Sequence, residues 1–182
     1  MAEALLATLS PCGNYRYTLR RSGLLTGHGR VTWIMLNPST ADAWVDDPTI
    51  RKVRKYTERW RYRELVVVNA YAWRSTDPHA LLGVPDPVGP DNDEAIRGTL
   101  VGVHWTDRDW DLPLASDPLV VCAWGKHLRP DRRAGLARLL AGVPLYALKL
   151  NNDGSPSHPL YLSDALSPIP FTLEDAPAKE GT

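Results

Sequence analysis

The chain is short of sulfur and has no excess of charge. Its 182 residues include two cysteines, Cys12 and Cys122, too few for a four-thiolate iron–sulfur or zinc site and no basis for a disulfide scaffold. Basic and acidic residues number 21 each, so the net charge is zero, which argues against a protein that coats nucleic acid by bulk electrostatics. No run approaches the ~20 apolar residues that cross a bilayer. The start MAEALLATLSPCG has neither the basic opening nor the long apolar core of a secretory signal. A cytoplasmic location is expected. GxGxxG and GxxxxGK[ST] are both missing, which removes support for dinucleotide and P-loop readings. So are GxSxG, HExxH and any Cys/His cluster, and neither metal nor cofactor is expected.

What remains is an ordinary folding composition, 43% apolar and 23% charged. We read one domain over 1–173, followed by a polar tail at 174–182 (EDAPAKEGT). Four apolar runs have strand length: VTWIML (31–36), LVVVN (65–69), LVVCAW (119–124) and PLYALKL (144–150). Near-continuous β-branched runs suit strands covered on both faces. Helical stretches separate them at 48–61, behind Asp46, Asp47 and Pro48, at 91–104 after GPDND, and at 131–141 after Pro130. This alternation predicts a three-layer α/β/α sandwich around a four-stranded, mainly parallel sheet. YRYTLRR (15–21) alternates and is expected at an edge.

In open α/β sheets ligands bind beyond the carboxyl ends of the strands. Those ends are all polar here. Asn37-Pro38-Ser39-Thr40-Ala41-Asp42 follows the first run, and Asn69 closes the second. Gly125-Lys126-His127 follows the third, and Asn151 through Pro159, with His158, follows the fourth. Taken singly, Asn-Pro and Asn-Asp-Gly are also common turn formers.

Together these segments resemble the uracil-DNA glycosylase superfamily. The chain as a whole is similar to a bacterial and phage family known as a domain of unknown function, which carries LNPSTAD, DDPT, GPDND, AWG and HPLY. Here these are Leu36–Asp42, Asp46–Thr49, Gly89–Asp93, Ala123–Gly125 and His158–Tyr161, within roughly residues 15–162. The resemblance implies a glycosylase-like domain. Asn37-Pro38 stands where the superfamily activates water, in the Asn form of its mismatch-specific branch. Asn69 stands where it reads an extruded base, and His158-Pro159-Leu160 where it stabilises the departing base and wedges the helix. Ser39 replaces a Tyr that blocks the pyrimidine 5-position, which points away from uracil. The small Ser39 and Ala41 leave room for a bulky 5-substituent, such as glucosylated 5-hydroxymethylcytosine in phage DNA.

Breaking an N-glycosidic bond requires a flipped nucleotide, a held water and support for the departing base anion. The expected catalytic set is Asn37, Asp42, Asp46 and His158. Asp47 ranks lower, because it is a candidate helix cap. Leu36, Pro38, Ser39, Asn69 and Trp44 are expected around the base. The run 51–63 holds seven Arg/Lys against one Glu, and 16 of the 21 basic residues are Arg, whose forked guanidinium suits phosphate. Arg51, Lys52, Arg54, Lys55 and Arg129 are therefore expected on double-stranded DNA, with Arg132 and Arg133 as further phosphate contacts and Pro159, Leu160 and Tyr161 at the flipped position. Trp73 and Trp124 are candidate stacking surfaces. No lysine lies in the first motif, so hydrolysis to an abasic site is expected, in antiviral defence. The alternatives are a hydrolase or transferase of free modified nucleosides or nucleotides, and a non-catalytic module that binds modified DNA.

Overall fold

The computed structural model describes residues 4–22, 27, 29–39, 46–100 and 119–173. Its strands are β1 (Ala4–Leu9), β2 (Arg16–Ser22), β3 (Arg30–Met35), β4 (Glu64–Asn69), β5 (Leu119–Cys122), β6 (Leu145–Ala147) and β7 (Ile169–Phe171). Its helices are α1 (Pro48–Arg59), α2 (Asn92–Leu100) and α3 (Pro130–Leu139). The strands form one seven-stranded sheet in the order β1-β2-β4-β3-β5-β6-β7.

This corrects the expected four-stranded, mainly parallel sheet, and with it the glycosylase-type sandwich. The pairs β3/β4, β3/β5 and β5/β6 are parallel, whereas β1/β2, β2/β4 and β6/β7 are antiparallel. The sheet is mixed. The strands that change the count are those without a continuous apolar run: β1 mixes Ala and Thr with Leu, β2 carries three arginines, and β7 contains Pro170. β2 was expected at an edge but lies between β1 and β4. The expected tail and the end of the 91–104 helical stretch fall outside the described residues.

Hydrophobic alternation assigns the two faces. Val31, Trp33 and Met35 of β3 join Ile50, Val53 and Tyr56 of α1, while Ile34 joins Ile96 of α2 and Leu136 of α3 on the other face. Trp33 is fully buried between Tyr56 and Trp60, with ring centroids 5.9 and 5.6 Å away. α1 begins where Asp47 accepts a hydrogen bond from Ile50 N at 2.7 Å, with Pro48 in the first turn. It ends at Trp60, where Arg61 takes φ +62° and Tyr62 N bonds back to Thr57 O.

Candidate functional site

The carboxyl ends of β3, β4, β5 and β6 open onto a cavity of about 420 Å³, within the ~300–1,000 Å³ range of ligand pockets. Leu36, Asn37 and Ser39 line it from the end of β3, and Asn69 from β4. Trp124 to His127 line it after β5, Asn151 and His158 after β6, and Asp47, Thr49 and Ile50 at the head of α1. Arg16, from the start of β2, closes the inner wall.

Asn37 is held by its nitrogen. Its Nδ2 donates to Ser75 O at 2.8 Å and Pro38 O at 3.3 Å, and the two loops are joined again by Ser75 N to Pro38 O at 2.9 Å. The amide orientation follows from these carbonyl partners, which leaves Oδ1 as the end able to accept from a ligand or water.

Asn69 differs. It is 1% exposed, and its Nδ2 has no hydrogen-bond partner among the described residues. A buried donor without a partner costs about 1–3 kcal/mol. The backbone around it is fully engaged: Asn92 Nδ2 donates to Asn69 O at 2.9 Å and Ala70 O at 3.3 Å, and Arg132 Nε donates to Ala70 O at 2.6 Å. Arg132 also bonds Asp93 at 2.6 Å. The GPDND block thus acts as a clamp on the end of β4. Its Gly89 has φ +86°, and a Cβ there would stand 2.7 Å from the Tyr15 ring.

His158 starts a 3-10 turn, Pro159–Tyr161, with its Nδ1 accepting from Leu160 N at 3.4 Å. The neutral ring therefore carries its proton on Nε2. The residue is exposed at the cavity mouth, yet desolvation of the ring lowers its pKa below the ordinary value, and the charge of Asp47 works against that shift. The loop before it is stitched by Asn151, which donates to Ser155 Oγ and accepts from Ser157 Oγ, each at 2.9 Å. Gly125 N binds Pro156 O at 2.9 Å, and Gly125, at φ +75°, would place a Cβ 3.8 Å from that of His158.

Of the residues expected from the sequence, Leu36, Asn37, Ser39, Asn69 and His158 share this cavity, as does the 3% exposed Trp124. Pro38 is buried beside it and contributes its carbonyl. Asp42 and Trp44 lie outside the described residues. Asp46 is no part of the lining. Its Oδ1 pairs with the fully buried Arg21 at 2.8 Å, and its Oδ2 lies 3.8 Å from Arg54.

The expected DNA-binding cations are largely engaged within the protein. Lys52 and Lys55 face Asp164, Arg54 bonds Glu58 at 3.0 Å, and Arg51 bonds the Asp46 carbonyl. Arg129 bonds Asp131 at 3.0 Å. Arg132 is the buried clamp described above, and Arg133 bonds Leu173 O, so both serve the fold. Trp73 meets Tyr15 edge-on at 5.3 Å. Pro159 is buried, Leu160 half-buried, and Tyr161 93% exposed.

The cavity lining also includes Arg16, which sequence reasoning missed, and Asp47, which it ranked below Asp42 and Asp46. Arg16 is 2% exposed; burial pushes its pKa down to about 10, while the charge of Asp47 supports the cation. Only its place opposite the end of β4 reveals it, and that requires the β2/β4 pairing. Asp47 does cap α1, through Oδ1, but its Oδ2 accepts from Ser39 Oγ at 2.5 Å within the cavity wall. Lys126 and His127 stand exposed at the mouth, with the His127 ring edge-on to His79 at 5.5 Å. Among the described residues no group of three or more His, Cys, Asp or Glu is placed to hold a metal, and no helix is long and apolar enough to cross a membrane.

The fold is a mixed α/β sheet with a polar, amide-rich cavity at the ends of its parallel strands, where ligands bind in open α/β sheets. The chain belongs to the family described as protein of unknown function DUF1643, whose model matches residues 16–160. No curated protein and no solved structure matches it.

Proposed function

We propose that this protein is a monofunctional DNA glycosylase. It hydrolyses the N-glycosidic bond of an extruded, bulky 5-modified pyrimidine, with glucosylated 5-hydroxymethylcytosine in phage DNA as the substrate and antiviral defence as the role. The observation that carries this reading is the buried Asn69 amide, whose Nδ2 lacks a partner in the cavity that also holds Asn37 and His158. A base carbonyl or ring nitrogen would satisfy that donor. The motif resemblance to uracil-DNA glycosylases supports the same assignment.

In this mechanism Asn37 Oδ1 holds the attacking water, and an amide does so without titrating. The Nε2 proton of His158 meets the charge that develops on the departing base, with a neutral imidazole favoured by its lowered pKa. Trp124 supplies an apolar wall, and Ser39 leaves space beside the 5-position. Tyr161 is exposed in the turn that His158 opens, and an aromatic ring there can fill the gap left by a flipped base.

The test is to incubate the purified protein with phage DNA containing glucosylated 5-hydroxymethylcytosine and with unmodified DNA, and to count abasic sites. Release confined to the modified DNA is expected. Equal release on both, or none, rejects the assignment.

A second reading is hydrolysis or transfer on free modified nucleosides or nucleotides. It is favoured by the ion pairs that occupy Lys52, Arg54, Lys55 and Arg129. Salt separates the two, because phosphate contacts along DNA make affinity fall steeply with ionic strength and a free nucleoside does not.

A further inference from the structure

Resting on the glycosylase reading, we infer that Asp47 is the catalytic carboxylate: it accepts the proton of the attacking water and opposes the positive charge that develops on the sugar. A nucleophilic water needs an acceptor close to the group that holds it, and among the described residues that line the cavity Asp47 is the sole carboxylate. Asp46, the other half of the DDPT motif, is committed to the buried Arg21.

Capping does not use Asp47 up. An ionised carboxylate offers about four lone-pair sites over two oxygens. Ile50 N takes one on Oδ1 at 2.7 Å, and Ser39 Oγ takes one on Oδ2 at 2.5 Å. These bonds take two of those sites, one on each oxygen. Both bonds also fix the group in place. The first ties it to the rigid head of α1, and the second ties it to the loop that carries Asn37, two residues before Ser39.

The charges around it fit the role. Arg16 is buried in the same cavity wall, where the Asp47 charge supports its cation, and the Asp47 charge also reaches His158. The reacting bond therefore lies between an anion on the sugar side and a hydrogen-bond donor on the base side. In the step itself, the water oxygen bonds to C1′ as the C1′–N bond breaks, and the bonding pair leaves with the base. The water proton passes to Asp47 and then to solvent, from which the base anion, held by the Nε2–H of His158, is protonated.

Asp47→Asn tests this, because asparagine keeps the cap acceptor and removes the charge. On glucosylated DNA we expect kcat for base release to fall ~10²–10⁴-fold with KM and DNA affinity unchanged. Asp47→Ser, which also caps a helix, is expected to lose turnover in the same way and guards against a folding defect of the first variant. Turnover by either folded variant at the wild-type rate overturns the role of Asp47. A wild-type protein that releases no base overturns the glycosylase reading and this role with it, and the two results are told apart by the wild-type lane.

Discussion

Two polar clusters occupy opposite ends of the same two strands. At the amino ends of β3 and β4, Glu64 accepts from Arg30 Nε at 2.7 Å through one oxygen and from Arg20 Nε through the other, and Arg30 also reaches Thr99 O at 3.5 Å. All three side chains are at most 13% exposed. At the carboxyl ends, Asn37 offers an acceptor, Asn69 a donor without a partner among the described residues, and Asp47 a carboxylate to one cavity. The first cluster completes its own hydrogen bonds and stabilises the fold. The second leaves bonds unmade, at a cost that the protein recovers only when something binds.

Mutations at the two ends should therefore behave in opposite ways, beginning with the largest effect. Glu64→Ala leaves two nearly buried guanidinium groups facing each other and is expected to cost about 3–5 kcal/mol in urea unfolding. A loss under about 1 kcal/mol would show that the amino-end cluster is solvated after all. Asn92→Ala removes the donor from two buried carbonyls and should cost about 1–3 kcal/mol, while slowing base release because the clamp on Asn69 is gone. Lower stability with unchanged release would detach the clamp from the site.

Asn69→Leu reverses the sign. It deletes a buried donor without a partner and keeps the side-chain shape, so stability should hold or rise by about 1 kcal/mol while base release disappears. If the variant instead loses more than about 2 kcal/mol, Asn69 belongs with the first cluster.

The smallest effect concerns acid. The pKa of His158 is lowered in the folded protein, so its contribution to stability is whole above the ordinary histidine value of 6.5 and is lost as pH falls through the folded pKa. His158→Gln should show a smaller drop in Tm than wild type between about pH 7.5 and about pH 5. An identical drop would place that acid sensitivity elsewhere.

How far the sequence reveals this arrangement differs between the sheet and the site. The runs that became β3 and β4 are legible because both faces of each strand are covered, so every position is apolar or nearly so. β1, β2 and β7 are not. β2 buries Arg16, Arg20 and Arg21, and cations in a sequence read as solvent-facing until their carboxylate partners are known. β7 is three residues long and contains a proline, which is tolerated because it pairs on one side alone. Those three strands turn an apparently parallel sheet into a mixed one.

The cavity lining was more legible than the sheet order, because Asn37 directly follows an apolar run, Asn69 ends one, and His158 lies in the polar loop after the fourth. The basic run of α1 reads in the sequence as a set of free cations, and in the fold several of them are paired. Asp164, more than 100 positions away in sequence, comes back to face Lys52 and Lys55. Asp47 reads in the sequence as a helix cap and so ranks below Asp42 and Asp46, whereas in the structure one oxygen caps α1 and the other accepts from Ser39.

The most direct test of the account is mass spectrometry of bases freed from glucosylated phage DNA by the wild-type protein and by Asn37→Ala. The account predicts a glucosylated hydroxymethylcytosine base from the wild type and none from the variant, with DNA binding retained in both. Equal release by the two proteins, or a free nucleoside product rather than a base, would contradict it.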